Sequence, residues 1–199
     1  MIIRALTDFE REAVRKFYLS LSADDRRKRF CSTLTDDTIS SYVDRLDFSR
    51  NTVLAAFDEQ VQIIGLAELV RGEKSSEMAF SVRPDRRGQK IGTKLIQRLI
   101  LRARICGISK VFVMFLSDNT PMRRMAIRAG MVLSVADGEA YAERELQVPG
   151  AQELAQWFVQ ESASQGEYFG TLGVVGWGSL AKPPANSPQE PIEALPPAA

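Results

Sequence analysis

Histidine is missing altogether from this 199-residue chain. That removes Ser-His-Asp and Cys-His catalysis, histidine general bases and most zinc hydrolase designs. Any chemistry must rest on carboxylates, lysine, tyrosine, cysteine, bound water or the backbone. Cysteine is scarce: Cys31 and Cys106 stand far apart, too few for a disulfide framework or a zinc site. Both read as buried small apolar residues in a reducing compartment, and no metal site is expected. No apolar run approaches the roughly 20 residues of a membrane helix. Met1-Ile2-Ile3-Arg4 lacks the basic-then-apolar layout of a signal peptide. The expected location is the cytoplasm, with no membrane partner. An excess of one charge is also missing: 26 Lys+Arg against 25 Asp+Glu leave a net +1, so no global field argues for nucleic acid. Nor is there a coherent basic surface with interleaved aromatics.

What is present suits one globular domain with a sizeable core and an accessory segment, at 45% hydrophobic and 26% charged residues. Asp8 to Leu21 places Phe9, Ala13, Val14, Phe17 and Leu21 at helical spacing, with Thr7 or Asp8 as cap. Asp24 to Phe30 is a charged stretch. Thr35-Asp36-Asp37 opens a second helix carrying Ile39, Tyr42, Val43 and Leu46. Strands are predicted over Thr52–Asp58, Gln62–Val70 and Glu77–Val82. A strong helix follows from Gly92 to Ile105, stopped by Gly107. Lys110–Leu116 reads as a doubly buried strand. Asp118 or Asn119 caps a helix through Arg128, stopped by Gly130. Met131–Val135 and Ala140–Val148 form a hairpin around Asp137-Gly138. The order implies an α/β fold, a mixed sheet with helices on both faces. After Pro149-Gly150 come a helix over Ala151–Ser164, a Gly-rich segment from Tyr168 to Leu180 with Trp177, and a Pro-rich stretch from about residue 181 expected to be disordered. The segments are therefore 1–148, 149–180 and 181–199.

The chemistry is concentrated between a strand and a helix, in Val82-Arg83-Pro84-Asp85-Arg86-Arg87-Gly88-Gln89-Lys90-Ile91-Gly92-Thr93. A turn here points successive backbone N–H groups, at the positive end of a helix dipole, toward a pyrophosphate. Gly88 and Gly92 let the backbone approach closely, and Arg87 and Lys90 add charge. The plainer alternative is a surface turn capped by glycine. A Walker A loop and the Gly-x-Gly-x-x-Gly dinucleotide pattern are both absent.

The segment resembles the coenzyme A loop of GNAT superfamily N-acetyltransferases, Arg/Gln-x-x-Gly-x-Gly/Ala, with Arg87 first and Gly92 last. Lys90 stands where the middle glycine is usual, a departure that is costly if φ there must be positive. Asn119 to Met131 resembles the next family motif, in which an Asn opens a helix ending in Gly-Phe. The resemblance covers about residues 1–148. It implies a GNAT fold with a mostly antiparallel sheet, and acetyl-CoA as cosubstrate, held by Arg87, Gly88, Gln89, Lys90, Ile91, Gly92, Thr93 and Asn119. It also implies that the backbone from Phe80 through Val82 to Arg83 bonds the pantetheine arm. Leu21-Ser22 through Arg27-Lys28-Arg29-Phe30, with Leu34 and Thr35, looks like the Arg-x-Arg-Phe region of bacterial protein-lysine acetyltransferase (Pat-like) domains. A solvated basic turn anchored by Phe30 explains it equally.

An amine nucleophile must lose a proton, and a carboxylate can take it. Glu77 is at the position where GNAT enzymes often carry Glu. Glu68 is the runner-up, and Asp118 reads as a helix cap. Many relatives use a Tyr as general acid where this chain has Ala126; Ser117 lies nearby but reads as structural. Arg123, Arg124 and Arg128 could meet a 3′-phosphate or form a solvated face. The expected acceptor is an amine, of a small molecule or a protein lysine, and the expected state is a monomer or homodimer. The competing expectation is a module that binds acetyl-CoA or CoA without efficient turnover.

Overall fold

The computed structural model of the chain describes residues 1–180, with side chains to Val174. The expectation for the stretch 181–199, and the side chain of Trp177, lie outside the described residues. The chain opens with a short strand that periodicity did not reveal, β1 (Ile2–Ala5). A turn of 3-10 helix, Asp8–Glu10, leads into α1 (Arg11–Leu19), which buries Val14, Phe17 and Tyr18. Glu10 closes the entry by accepting the Thr7 N–H at 2.9 Å. The charged stretch is itself a helix, α2 (Ala23–Phe30), because Ser22 Oγ caps it by accepting the Asp25 N–H at 3.2 Å. Thr35 caps α3 (Asp36–Asp44) in the same way at 3.3 Å.

The remaining elements are β2 (Thr52–Phe57), β3 (Ile63–Val70), β4 (Ser76–Val82), α4 (Ile91–Ile105), β5 (Lys110–Leu116), α5 (Thr120–Arg128), β6 (Val132–Ala136), β7 (Glu139–Glu145) and α6 (Ala151–Leu180). Asp137 and Gly138 both take positive φ, 51° and 82°, as the two-residue turn between β6 and β7 requires. The strands form one sheet in the order β1-β2-β3-β4-β5-β7-β6. Every neighbouring pair is antiparallel except β4–β5.

One buried cluster packs α4 and α5 against the sheet, through residues such as Leu95, Leu99, Val113 and Phe115. A second packs α1 and α3 on the other face, through Val14, Phe17, Ile39 and Val43. Helix α6 crosses the β1 edge. Its Glu153 grips Arg104 of α4 through two oxygens at 2.6 and 2.8 Å, and Glu161 takes Arg98 at 2.8 Å. Further along, the Tyr168 ring lies 3.7 Å from the Arg4 guanidinium and 4.8 Å from the Phe57 ring. An otherwise open sheet edge is thus covered. The helix expected to end near Ser164 continues through Gly166, Gly170 and Gly173, whose Cβ positions face open space. Each glycine disfavours helix by about 1 kcal/mol relative to alanine, and anchoring by Tyr168 prevails. Among the described residues no helix is long and apolar enough to cross a membrane. The cysteines are free and only half-buried, contrary to expectation, because each caps a helix end: Cys31 follows α2 and Cys106 follows α4.

Candidate active site

The parallel pairing of β4 with β5 lasts for two residues, Ser76 opposite Val111 and Glu77 opposite Phe112. Beyond it the two strands separate. Arg83 N–H bonds Ile64 O at 3.0 Å, so that pair and the Ser81–Leu66 pair are hydrogen-bonded to β3. Phe80 and Val82 between them turn their N–H and C=O groups the other way, into the gap. Arg83 is committed elsewhere: its N–H belongs to β3, and its guanidinium holds Asp85 at 3.0 Å.

At the wide end of the gap lies a cavity of about 500 Å³. Of the residues expected to hold a coenzyme, Phe80, Val82, Arg87, Gly88, Lys90, Ile91, Gly92, Thr93 and Asn119 line it, and Arg83 and Gln89 do not; nor does Glu77, the expected base. Among the described residues, no backbone acceptor is met by the N–H groups from Gly88 to Thr93; the first bond of α4 is Lys94 N–H to Lys90 O at 3.0 Å. Successive unpaired N–H groups at a helix N-terminus form an anion cradle. Gly88 is required for its φ of +77°. Gly92 serves a different need from the one expected: a Cβ there would lie 3.0 Å from Met125 Sδ, so glycine lets α4 approach α5.

Lys90 is the N-cap residue of α4, with φ 61° and ψ 17°. A non-glycine residue in this left-handed region costs roughly 1–2 kcal/mol. Its side chain has no acceptor with which to cap the helix. The departure from glycine is therefore the costly kind.

Helix α2 stands over the cavity and is tied to both expected coenzyme segments. Asp25, buried, ion-pairs with Arg87 of the loop. Arg27 reaches Asp118 at 2.8 Å, at the end of β5. Asp118 is thus an ion-pair partner. Asn119 is the cap of α5, its side chain accepting Met122 N–H at 3.2 Å. Sequence reasoning passed over Asp25, although Ser22-x-x-Asp25 is the pattern of a helix cap.

Beneath α2 the two candidate carboxylates separate. Glu68 is 1% exposed. It accepts from Tyr18 Oη at 2.5 Å, from Arg29 Nη2 at 2.8 Å and from Tyr42 Oη. Burial, followed by the Glu68 charge, pushes both phenols above their ordinary range despite Arg29. Burial works against the Arg29 cation, but its Tyr18 and Glu68 neighbours more than offset this and hold it well above its usual value. Arg29 also lies 4.6 Å from the Phe30 ring centre. The Arg-x-Arg-Phe stretch is therefore helix with a buried cation, rather than a solvated turn. Glu68, fully engaged, is no free base.

Glu77 shares this face of β4 with Ala79, the cross-strand partner of Glu68. It is half-buried and stands where the strands begin to part. About 17 Å of strand separates it from Val82. The Cys31 thiol, pushed up by burial and then by the Glu139 and Glu77 charges, lies close by. Ala126, at the position where the resemblance raised the question of a tyrosine acid, is wholly buried.

A mixed seven-stranded sheet that parts at its one parallel pair is the fold expected of the acetyltransferase class. Residues 9–131 match the model of the acetyltransferase (GNAT) family, and the chain belongs to that family. Its fold is similar to the GNAT domain of S. lividans PAT, at TM-score 0.62 and 21% identity over 72% of this chain and 89% of that one. Ribosomal-protein-alanine N-acetyltransferase from Brucella melitensis gives 0.58 and 18% over 73% and 100%. Spermidine N-acetyltransferase from Vibrio cholerae, in complex with CoA and spermine, gives 0.58 and 16% over 72% and 94%.

Proposed function

We propose that this protein transfers the acetyl group of acetyl-coenzyme A directly to an amine. The observation that carries the proposal is the run of unaccepted N–H groups from Gly88 to Thr93, on residues that, Gln89 apart, line a cavity at the mouth of a parted sheet. These groups suit a diphosphate, and the backbone of Phe80 and Val82 suits an amide-bearing arm lying along β4 as an added strand. Such an arm directs its acyl end toward Glu77.

Glu77, directly or through a water, takes a proton from the acceptor ammonium. The free amine attacks the thioester carbonyl, the C–S bond breaks, the thiolate takes a proton from solvent, and the acylated nitrogen gives up its second proton to solvent to leave the neutral amide. With Ala126 in place of a phenol, the protein contributes no side-chain acid there. Positioning of two substrates is then the main source of rate. The narrower reading takes a protein lysine as acceptor; it is supported by the Arg27–Phe30 stretch resembling the Pat-like domains and by the likeness to S. lividans PAT. A small amine is the other acceptor class, since the spermidine enzyme has a similar fold.

The buried Ala126 also favours a second reading, a module that binds the coenzyme and does not turn over. Mass spectrometry of peptide and polyamine acceptors incubated with acetyl-CoA and the purified protein separates the two. Transfer, slowed about 100-fold or more by Glu77→Gln with CoA affinity unchanged, is the expected result. Binding without any transfer would favour the module. Transfer at the wild-type rate by Glu77→Gln would remove Glu77 from its role.

A further inference from the structure

We infer that Lys90 is a cation this chain adds for the coenzyme diphosphate, its ammonium pairing with the phosphate oxygens at the cost of a left-handed backbone. The inference rests on the coenzyme reading above and assigns a residue that the family pattern leaves as glycine. Two local rules are broken at this one position. The residue takes φ 61°, where glycine would sit without strain. It also puts a positive charge at the positive end of α4, whose first turn carries no acidic residue. Neither violation has a compensating partner in the fold: among the described residues Lys90 meets no carboxylate within salt-bridge distance. An anion in the cradle compensates both.

Of the cavity cations Lys90 alone carries the left-handed backbone, Arg124 and Arg128 standing across from it on α5, and the two cations beside it in the loop are less free. Arg87 is held by buried Asp25, and Arg86 by Asp58 at 3.2 Å. Lys90 is exposed and lines the cavity. The same cavity is lined by Ser81, 9% exposed, whose Oγ has no hydrogen-bond partner among the described residues. A polar ligand is thus called for at a second, independent point. Local rules fail together at functional positions, where a ligand supplies what the fold lacks.

The test compares wild type with Lys90→Gly, Lys90→Asn and Lys90→Arg by calorimetric titration with coenzyme A and with 3′-dephospho-coenzyme A, and by thermal unfolding without ligand. Lys90→Gly should melt about 2–4 °C higher than wild type and bind both ligands about tenfold more weakly. Lys90→Asn, neutral and tolerant of the left-handed region, should lose the same affinity, and Lys90→Arg should keep most of it. The difference should shrink as salt is raised. Binding of Lys90→Gly as tight as wild type overturns the inference while leaving the coenzyme reading intact. A loss confined to coenzyme A moves the ammonium to the 3′-phosphate and overturns the diphosphate assignment. No binding by wild type or any variant overturns the coenzyme reading itself.

Discussion

Asp25 of α2 and Arg87 of the loop before α4 form an ion pair across 62 positions of sequence, the carboxylate buried and the guanidinium half-exposed. The pair joins the helix above the cavity to the loop that would grip phosphate, and it occupies a cation that a diphosphate would also use. Asp25→Asn should lower stability by about 1 kcal/mol, a modest figure because Arg87 is partly screened by solvent. It should also tighten coenzyme A binding a few-fold by releasing Arg87. Denaturant unfolding and calorimetry measure the two effects. Weaker binding would mean that Asp25 orients Arg87 for the ligand instead of competing with it.

Glu68 and Glu77 should behave as opposites. Removing the Glu68 charge strands a buried Arg29 and two phenols, so Glu68→Gln should cost about 3 kcal/mol of stability. Glu77 has no such partners, and Glu77→Gln should stay within about 0.5 kcal/mol of wild type. Urea midpoints of the two variants, measured side by side, check this contrast.

Alkaline pH should reach the same network. Tyr18 and Tyr42 hold their protons above the ordinary phenol value of 10.0 because they are buried and face Glu68. The folded state therefore keeps protons that the unfolded chain releases near pH 10. The stabilisation is complete below that pH and is lost as pH rises through the higher folded values. Ultraviolet titration should show these phenols ionising late, together with unfolding. Ionisation of every tyrosine near pH 10 in a still-folded protein would contradict the network.

At the opposite edge, Tyr168→Ala removes the ring lying over Arg4 and packed on Phe57. Loss of a desolvated cation–π contact and of aromatic area should cost about 2 kcal/mol. It should also loosen α6 from β1, raising amide exchange in Ile2–Ala5. Unchanged exchange there would show that the Arg98 and Arg104 ion pairs hold α6 unaided.

Much of the sheet was legible because β2, β3 and β5 carry apolar runs bounded by turn residues, and α4 repeats Leu95, Ile96, Leu99 and Ile100 at helical spacing. β1 was missed because four residues are too few for a period to emerge. α2 was missed as a helix because its charged sequence has no apolar stripe; its cap and Arg29 hold it. The Gly88–Thr93 turn before α4 was legible from its place between a strand and a helix, and its reading as a coenzyme loop came from the resemblance of Arg87 to Gly92. What could not be read was partnership. Nothing in the string reveals that Glu68 is consumed by two phenols and an arginine, that Asp118 belongs to Arg27, or that Gly92 exists to admit Met125. Those facts depend on elements brought together from distant parts of the chain.

The short β4–β5 pairing divides the sheet into a four-stranded leaf and a three-stranded leaf. The cluster under α4 and α5 draws residues from both, Leu54 and Ala67 on one side and Val113 and Ala142 on the other. The cluster under α1 and α3 includes no residue of β5, β6 or β7. Apolar cohesion across the seam therefore comes from one face, like the spine of a book. On the opposite face α2 meets both leaves, and its Asp25–Arg87 and Arg27–Asp118 ion pairs reach the chain beyond β4 and beyond β5, so that side of the seam is closed by a polar clasp where the other is closed by packed hydrocarbon.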